Sequence, residues 1–238
     1  MKLNTNSNSY TIVYSIVVVV IVAFLLAFVS KGLEERSNAN ERIDKKQQIL
    51  AALNVRNTPK DSVEQIFESI VKQDLIVNQA GQTVSPKEGF DVDRKDMTPD
   101  KLPFYICQKD NATKYVIPMV GKGLWGSIWG FLALNDDGKT IYGAYFSHES
   151  ETAGLGSLIK DQPFQDQFQG KQAYSAEGQV AVNIVKAGKV QNKETEVDGI
   201  TGATLTSNGV NAMVQEYLKL YAPTLKGLCT QADTTKAQ

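Results

Sequence analysis

The chain has 238 residues, enough for one large domain or for one domain with a smaller annex. Its 25 basic and 26 acidic side chains leave a formal net charge of -1, which argues against a nucleic-acid partner. Hydrophobic residues make up 42% and charged residues 21%, values typical of a globular chain. With two cysteines and one histidine, the chain cannot by itself form a disulfide-dense scaffold, a four-thiolate cluster or a site with two imidazoles.

A long uncharged run lies near the N-terminus. Residues 12–29 contain 18 uncharged residues, which as a helix would cover about 27 Å of a hydrocarbon core of roughly 30 Å. A buried core helix and a cleaved signal peptide are the alternatives, but no small-residue cleavage site follows the run. The sequence therefore predicts a short tail over 1–9 and an uncleaved transmembrane helix over 10–30. Basic residues are more frequent after the run, which would place the large domain in the cytoplasm.

Residues 31–105 are expected to form a juxtamembrane annex, helical and loop-rich, without a core of its own. The mixed charges of residues 34–54 favour a helix that leaves the membrane. A second helix is predicted from apolar residues on one face between Val63 and Val71, with Asp61 or Ser62 as its N-cap. Turn formers and charges dominate residues 73–103, which contain one short apolar run over 75–77, and indicate a loop-rich annex.

Strand patterns begin near residue 106. The apolar runs 127–134 and 140–147 flank a glycine-bearing turn and predict a hairpin, and residues 180–190 suggest a second one. A helix is predicted where apolar residues recur at helical spacing, with Pro223 as its end and a flexible tail over 226–238. Its apolar stripe consists of Val210, Met213, Val214, Tyr217, Leu218 and Tyr221. The predicted class is α+β: an N-terminal transmembrane helix, then a mainly antiparallel twisted sheet with flanking helices.

The segment 198–208, DGITGATLTSN, leads into that last helix. Gly202 and Ala203 permit close backbone approach, and Thr206, Ser207 or Asn208 can cap the helix. Free N–H groups and the helix dipole at such a start favour a bound phosphate. A simple turn followed by a cap would give the same pattern.

Two further segments carry glycines beside polar or aromatic residues. In HESETAGLG, residues 148–156, the backbone near Gly154 and Gly156 can pass close to a flat ligand. His148 with two glutamates is a weak metal signal, and an ordinary surface histidine is the favoured interpretation. In GKGLWG, residues 121–126, Trp125 can stack on a ring or fill the core, and the segment by itself favours the core.

Taken in order, the three segments resemble the FMN-binding domain of covalently flavinylated electron carriers. The matching patterns are Gly-x-Gly-Leu-Trp-Gly, His-x-x-Glu-Thr-x-Gly-Leu-Gly and Asp-Gly-x-Thr-Gly-Ala-Thr-x-Thr-Ser. The resemblance covers roughly residues 106–222 and implies an FMN-binding domain over 106–225. It implies that a dedicated flavin transferase, using FAD and magnesium, esterifies the FMN phosphate to the hydroxyl of Thr204.

The resemblance also implies a set of cofactor-binding residues, and it assigns neither a catalytic side chain nor a metal ligand. The residues that would line the flavin or complete the attachment pattern are Leu124, Trp125, Glu151, Thr152, Gly154, Leu155, Gly156, Asp198, Thr201, Gly202, Ala203 and Thr206. A flavin supplies the redox chemistry, so the protein has to hold and tune it.

The function implied by the resemblance is that of a membrane-anchored electron carrier within a sodium-translocating NADH:quinone oxidoreductase. Its partners would be the other membrane subunits, the flavin transferase and membrane lipid. The implied location is the bacterial cytoplasmic membrane with the soluble domain on the periplasmic side, against the count of basic residues, because assembly with partner subunits can set the orientation. The alternatives are the related flavin-carrying subunit of an Rnf-type electron-transport complex, a module that binds FMN without a covalent bond, and a purely structural subunit.

Overall fold

The computed structural model describes residues 7–236, with side chains up to residue 228, so the predictions for residues 1–6 and the end of the tail fall outside the described residues. The helices are α1 (Asn8–Ala52), α2 (Val63–Ile70), α3 (Gln162–Gln165) and α4 (Thr204–Lys236). The strands are β1 (Val71–Val77), β2 (Thr83–Ser85), β3 (Leu102–Lys109), β4 (Ala112–Lys122), β5 (Ser127–Leu134), β6 (Ile141–His148), β7 (Asn183–Val185) and β8 (Glu196–Asp198). The chain divides into two compact units, with the boundary between Lys45 and Lys46.

The first unit is the part of helix α1 up to Lys45. Within residues 7–236, α1 is the one helix whose length and composition suit a membrane crossing. Its most apolar window has a mean hydropathy of 3.2, and none of that window is buried. A helix that is apolar on all sides has no face suited to water. The mixed-charge stretch continues the same helix without a break, and it ends at Ala52.

The second unit is built on one antiparallel sheet of six strands in the order β2-β1-β3-β4-β5-β6. The predicted hairpin is confirmed: β5 and β6 pair antiparallel, with Phe131 opposite Tyr145. Helix α4 packs against β4, so the predicted α+β class with an antiparallel sheet and flanking helices is confirmed.

The structure differs from the expectation of loops in residues 73–103. Strand β1 pairs with β3 from Val71↔Cys107 to Val77↔Leu102, and β2 pairs with the end of β1. Polar residues occupy the middle of β1 and interrupt the apolar alternation that would have marked a strand. The strand therefore depends on its pairing with β3 rather than on its own propensity.

Both faces of the sheet are covered. On one face, Ile117 and Met119 of β4 belong to a core that includes Val214 and Leu218 of α4. Successive side chains of a strand point to opposite faces, so Val116 lies on the other face. Val116 pairs with Ala133, and Ala133 pairs with Gly143. A Cβ built on Gly143 would lie 2.5 Å from the carbonyl oxygen of Ala52, so the last turn of α1 covers this second face.

Two glycines allow α4 to approach the end of β4 closely. A Cβ on Gly121 would lie 2.8 Å from the Cβ of Met213, and one on Gly209 would collide with the carbonyl oxygen of Lys122. Any larger residue at either position would push the helix away from the strand. The start of α4 is thereby held beside the turn that joins β4 to β5.

The prediction that Pro223 ends the last helix is wrong, because α4 continues through it to Lys236. A proline inside a helix removes one backbone hydrogen bond and costs about 3 kcal/mol. Leu225, just beyond it, is 2% exposed and belongs to the main core, and burial of such a side chain contributes about 1.5–3 kcal/mol. Tertiary packing beyond the proline thus offsets the local cost. The tail predicted from residue 226 is helical over its described part.

The second predicted hairpin is also wrong. Strand β7 pairs with β8 in parallel, with Ile184 opposite Val197, and the two form a separate small sheet. The intervening loop contains Gly188, which has a φ of +74°, and its N–H donates to the carboxylate of Asp198 at 2.7 Å. This hydrogen bond to Asp198 stabilises the loop that connects the parallel strands β7 and β8.

The sequence leaves the redox state of Cys107 open. In the structure Cys107 is a free thiol, buried in β3. Burial raises the pKa of this thiol to about 12. The thiolate is therefore scarce at neutral pH, and the group is unreactive. The side chain of Cys229 lies outside the described residues.

Candidate functional site

The three segments singled out in the sequence meet at the carboxylate of Glu151. Its Oε1 accepts the N–H of Trp125 at 2.9 Å, and its Oε2 accepts the hydroxyl of Thr206 at 2.6 Å. Glu151 is 7% exposed. One buried carboxylate thus joins the β4–β5 turn, the loop after β6 and the first turn of α4.

Glu151 is held in its ionised form. Burial raises the pKa of the carboxyl, but hydrogen bonds from Thr206 and from the N–H groups of Trp125 and Leu124 outweigh it and leave the pKa below its ordinary value. A charged acceptor with several donors forms strong hydrogen bonds. This carboxylate is therefore a rigid connection within the site.

His148 is neutral. Its Nδ1 accepts the N–H of Glu151 at 3.2 Å, so that nitrogen carries no proton. Burial and then the charge of Lys160 lower the pKa of the imidazole. Among the described residues, no group of three or more His, Cys, Asp or Glu side chains could hold a metal ion.

Trp125 is fixed through its backbone while its side chain faces outward. The hydroxyl of Ser150 donates to the carbonyl of Trp125 at 3.1 Å, and the N–H of Gly123 donates to the carbonyl of Gly126 at 2.8 Å. The indole is 66% exposed, so the interpretation of Trp125 as a core residue is wrong. The N–H of Trp125 points to the buried carboxylate of Glu151, while its carbonyl bonds to the exposed Ser150 and its side chain lies on the surface. Leu124 beside it is 48% exposed.

The loop after β6 brings Leu155 to the start of α4. The carbonyl of Thr152 accepts the N–H groups of Leu155 and Ser157, and Gly154 adopts a φ of +73°. Leu155 is 41% exposed, and a Cβ on Gly202 would lie 3.0 Å from its Cδ2. A Cβ on Gly156 would collide with the carboxylate of Glu151 and the hydroxyl of Thr206. The glycines therefore let this loop lie directly against the first turn of the helix.

Thr204 is the first residue of α4, and it is exposed. The first N–H groups of a helix have no partner within the helix, and they carry partial positive charge. Gly202 precedes them with a φ of +77°, and the hydroxyl oxygen of Ser207 accepts the N–H of Ile200 at 3.0 Å, which anchors the loop. An exposed hydroxyl beside free N–H donors suits a phosphate group.

The remaining predicted residues differ in their exposure. Thr152, Thr201 and Gly202 are exposed, whereas Ala203 and Thr206 are buried. Asp198 directs its carboxylate to the Gly188 turn, and its backbone N–H donates to the Oε1 of Gln167 at 2.9 Å. In the described contacts Asp198 therefore positions the loop that leads to Thr204.

Leu205 is a candidate site residue that the sequence motifs did not indicate. It is 60% exposed and follows Thr204 directly. The available signal was an apolar residue that lies off the buried stripe of α4. We call Leu124, Trp125, Leu155 and Leu205 the apolar group, because these exposed side chains all lie on segments that Glu151 joins. Exposed apolar side chains next to free N–H donors suit a ligand with a flat ring and a phosphate.

The fold and the site define an FMN-binding domain, and residues 123–219 match the family model of that description. The C subunit of the Na(+)-translocating NADH-quinone reductase from Vibrio alginolyticus is 29% identical, over 88% of this chain and 90% of the relative. Its counterpart from Pasteurella multocida is 31% identical, over 72% of this chain and 74% of the relative. The crystal structure of the C subunit from Parabacteroides distasonis superposes with a TM-score of 0.76 at 36% identity, over 81% of this chain and 96% of the other. The chain belongs to the family of Na(+)-translocating NADH-quinone reductase C subunits.

Proposed function

We propose that this chain is the membrane-anchored flavin subunit of a sodium-translocating NADH:quinone oxidoreductase and that it relays electrons through FMN bound covalently to Thr204. Its membership of the C-subunit family supports the assignment to this complex. The main structural support is an exposed threonine hydroxyl at the first residue of α4, next to exposed apolar side chains on fixed backbone.

The attachment is a phosphoryl transfer without any redox change. The Oγ of Thr204 would attack the FMN phosphorus of FAD and form a new P–O bond. The bond from that phosphorus to the bridging oxygen would break, AMP would leave with the bridging oxygen, and the hydroxyl proton would be released. The flavin transferase and magnesium carry out this step during maturation. Thr204 would hold the remaining negative charge of the phosphodiester at the start of α4, where the free N–H groups and the helix dipole would stabilise it.

The residues of this chain bind and orient the ring system. The apolar group covers part of a flat aromatic surface, and Trp125 offers an exposed indole for stacking. Once bound, FMN would supply the redox chemistry. Glu151, Thr206 and Gly156 lie below the apolar group and keep the three segments together.

Helix α1 anchors the chain in the membrane and contacts lipid and the other subunits. We place the soluble unit on the periplasmic side, against the count of basic residues. Labelling tests this placement: Lys189 is exposed, so Lys189→Cys in a Cys229→Ser background should react with a membrane-impermeant maleimide in intact cells. Cys107 is buried and should stay unlabelled. Labelling only after the cells are broken would place the domain in the cytoplasm.

Mass spectrometry of the protein made together with the flavin transferase tests the covalent link. We expect the peptide that contains Thr204 to gain the mass of FMN minus water. Thr204→Val should abolish the covalent flavin and leave the fold intact, because the side chain is exposed. Thr204→Ser is the matched control, since it removes only a methyl group and should still become loaded.

The same experiment separates the alternatives. Release of all flavin on denaturation would favour a non-covalent module, and the complete absence of flavin would favour a structural subunit. The related subunit of an Rnf-type complex would also carry the covalent flavin, so co-purified partner subunits have to distinguish the two complexes. The relatives from Vibrio alginolyticus and Pasteurella multocida are named for the sodium-translocating enzyme, which favours that complex.

A further inference from the structure

The proposed flavin site is assembled from distant parts of the chain. The turn that carries Leu124 and Trp125 and the helix start that carries Thr204 both contact the carboxylate of Glu151, which lies 26 positions after Trp125 and 55 before Thr206. Its two oxygens are divided between them, one for the N–H of Trp125 and one for the hydroxyl of Thr206.

The carboxylate is enclosed rather than directed toward a ligand. A Cβ on Gly123 would collide with its Oε1, and a Cβ on Gly156 would collide with its Oε2. The side chain is almost fully buried, whereas Trp125 and Leu124 above it are exposed. Glu151 therefore acts on a ligand through the backbone of the turn and through Thr206.

Resting on the proposed function, we propose that Glu151 is a positioning residue. Its carboxylate ties the Leu124–Trp125 turn to the first turn of α4 through Thr206, and so fixes the exposed indole relative to the hydroxyl of Thr204. The hydroxyl of Ser150 holds the same turn from its carbonyl side, so Glu151 controls the N–H side of the turn.

Four single variants and one double variant test this role. Glu151→Gln keeps the size and removes the charged acceptor. Thr206→Val keeps the shape and removes the hydroxyl donor, while Thr206→Ser restores that donor. Glu149→Gln makes the same charge change at an exposed neighbouring carboxylate.

The first measurement uses the full chain made without the flavin transferase. Amide hydrogen exchange at Leu124 and Trp125 should accelerate by about tenfold or more in Glu151→Gln, as expected when hydrogen bonds to a charged acceptor are weakened. Thr206→Val should change exchange in the same direction, whereas Thr206→Ser and Glu149→Gln should behave like the unchanged chain. Exchange in the middle of β5 should not respond. Wild-type exchange at Leu124 and Trp125 in Glu151→Gln would overturn the proposal.

The second measurement follows FMN attachment to Thr204 by the transferase and the absorption spectrum of the attached flavin. Glu151→Gln and Thr206→Val should load more slowly and shift the flavin spectrum, and Thr206→Ser should restore both. The double variant, which combines Glu151→Gln with Thr206→Val, should load no more slowly than the slower of the two single variants. Both substitutions break the same hydrogen bond between Glu151 and Thr206, so their effects should not add. Faster amide exchange with normal loading and an unchanged spectrum would refute the link to the flavin. If the unchanged chain carries no FMN on Thr204, the proposed function fails, and hydrogen exchange alone decides whether Glu151 holds the turn.

Discussion

Exposed large apolar side chains are grouped in two regions of the described chain, and the two regions differ in what lies beneath the exposed surface. In helix α1 the exposed side chains follow one another almost without interruption from Ile12 to Val29, with no polar network among them. In the apolar group, four exposed side chains stand above a buried carboxylate with several hydrogen bonds. Exposed Val84 and Val190 lie outside both regions, and single exposed side chains of this kind are ordinary.

This difference indicates two different kinds of apolar partner. A helix surface that is apolar all round is suited to a fluid such as lipid, which requires no particular side-chain geometry. The apolar group instead has a fixed backbone: Trp125 is held at both its N–H and its carbonyl. Fixing the backbone before binding lowers the entropy lost when a ligand binds. The second region is therefore suited to one rigid, flat ligand.

The largest expected effect concerns the apolar part of helix α1. Removing residues 1–32 should move the protein from the membrane to the soluble fraction, because each apolar side chain taken from lipid into water costs about 1.5–3 kcal/mol. Ultracentrifugation of alkaline-washed membranes measures this change. Removing residues 1–6 alone, which keeps the apolar run, serves as the control. A truncated chain that remained in the membrane pellet would show that another surface binds the membrane.

The next effect concerns the placement of the helix start. Gly209→Ala should destabilise the soluble unit by about 1–3 kcal/mol, because the new Cβ would collide with the carbonyl of Lys122 and push α4 from β4. Gly227→Ala is the matched control in the same helix. A Cβ at Gly227 meets open space, so this change should be stabilising, by up to about 1 kcal/mol. Urea unfolding measures both, and equal effects would rule out the close contact as the cause.

A smaller effect distinguishes a ligand-facing tryptophan from a structural one. Trp125→Ala should change the free energy of unfolding of the flavin-free protein by no more than about 0.5 kcal/mol, because the indole is 66% exposed. In the FMN-loaded protein the same substitution should cost about 0.5–1.5 kcal/mol more, the usual value of an aromatic stacking contact. Urea unfolding of loaded and flavin-free protein gives the difference. Equal losses in both forms would mean that the indole does not contact the flavin.

The smallest expected effect is a pH dependence from Glu151. Its pKa is lower in the folded protein than the ordinary value of 4.5, so folding favours the ionised form. The resulting stabilisation is fully present above pH 4.5 and is lost as the pH falls through the folded-state pKa. Urea midpoints measured from pH 6 downward should therefore fall more steeply for the unchanged chain than for Glu151→Gln. Parallel curves would contradict the assigned ionisation.

Parts of the fold could be predicted where a local pattern suffices. The β5–β6 hairpin combines apolar strands with a glycine-bearing turn, and α4 shows a clear apolar stripe. Strand β1 was missed because its pairing with β3 supplies what its polar residues lack. Pro223 was misjudged because a single-residue rule does not include the burial of Leu225 beyond it.

The site was predicted as a set of segments but not as a geometry. The three motifs named three separate segments, and the structure brings these segments together at Glu151. The exposure of Trp125 depends on hydrogen bonds from residues that are far apart in sequence, so the segment alone favoured the core. Leu205 was overlooked because the motif gave it no specified residue type.

The sequence by itself determined the apolar N-terminal helix, the hairpin, the last helix and the presence of glycine-rich loops next to Thr204, because each of these depends on interactions between near neighbours along the chain. Only the tertiary structure decided that Glu151 faces Thr206 and that Gly209 lies against Lys122. It also decided that the indole of Trp125 is exposed. These features arise from contacts between residues far apart in sequence, and such contacts form only when the sheet and α4 pack together.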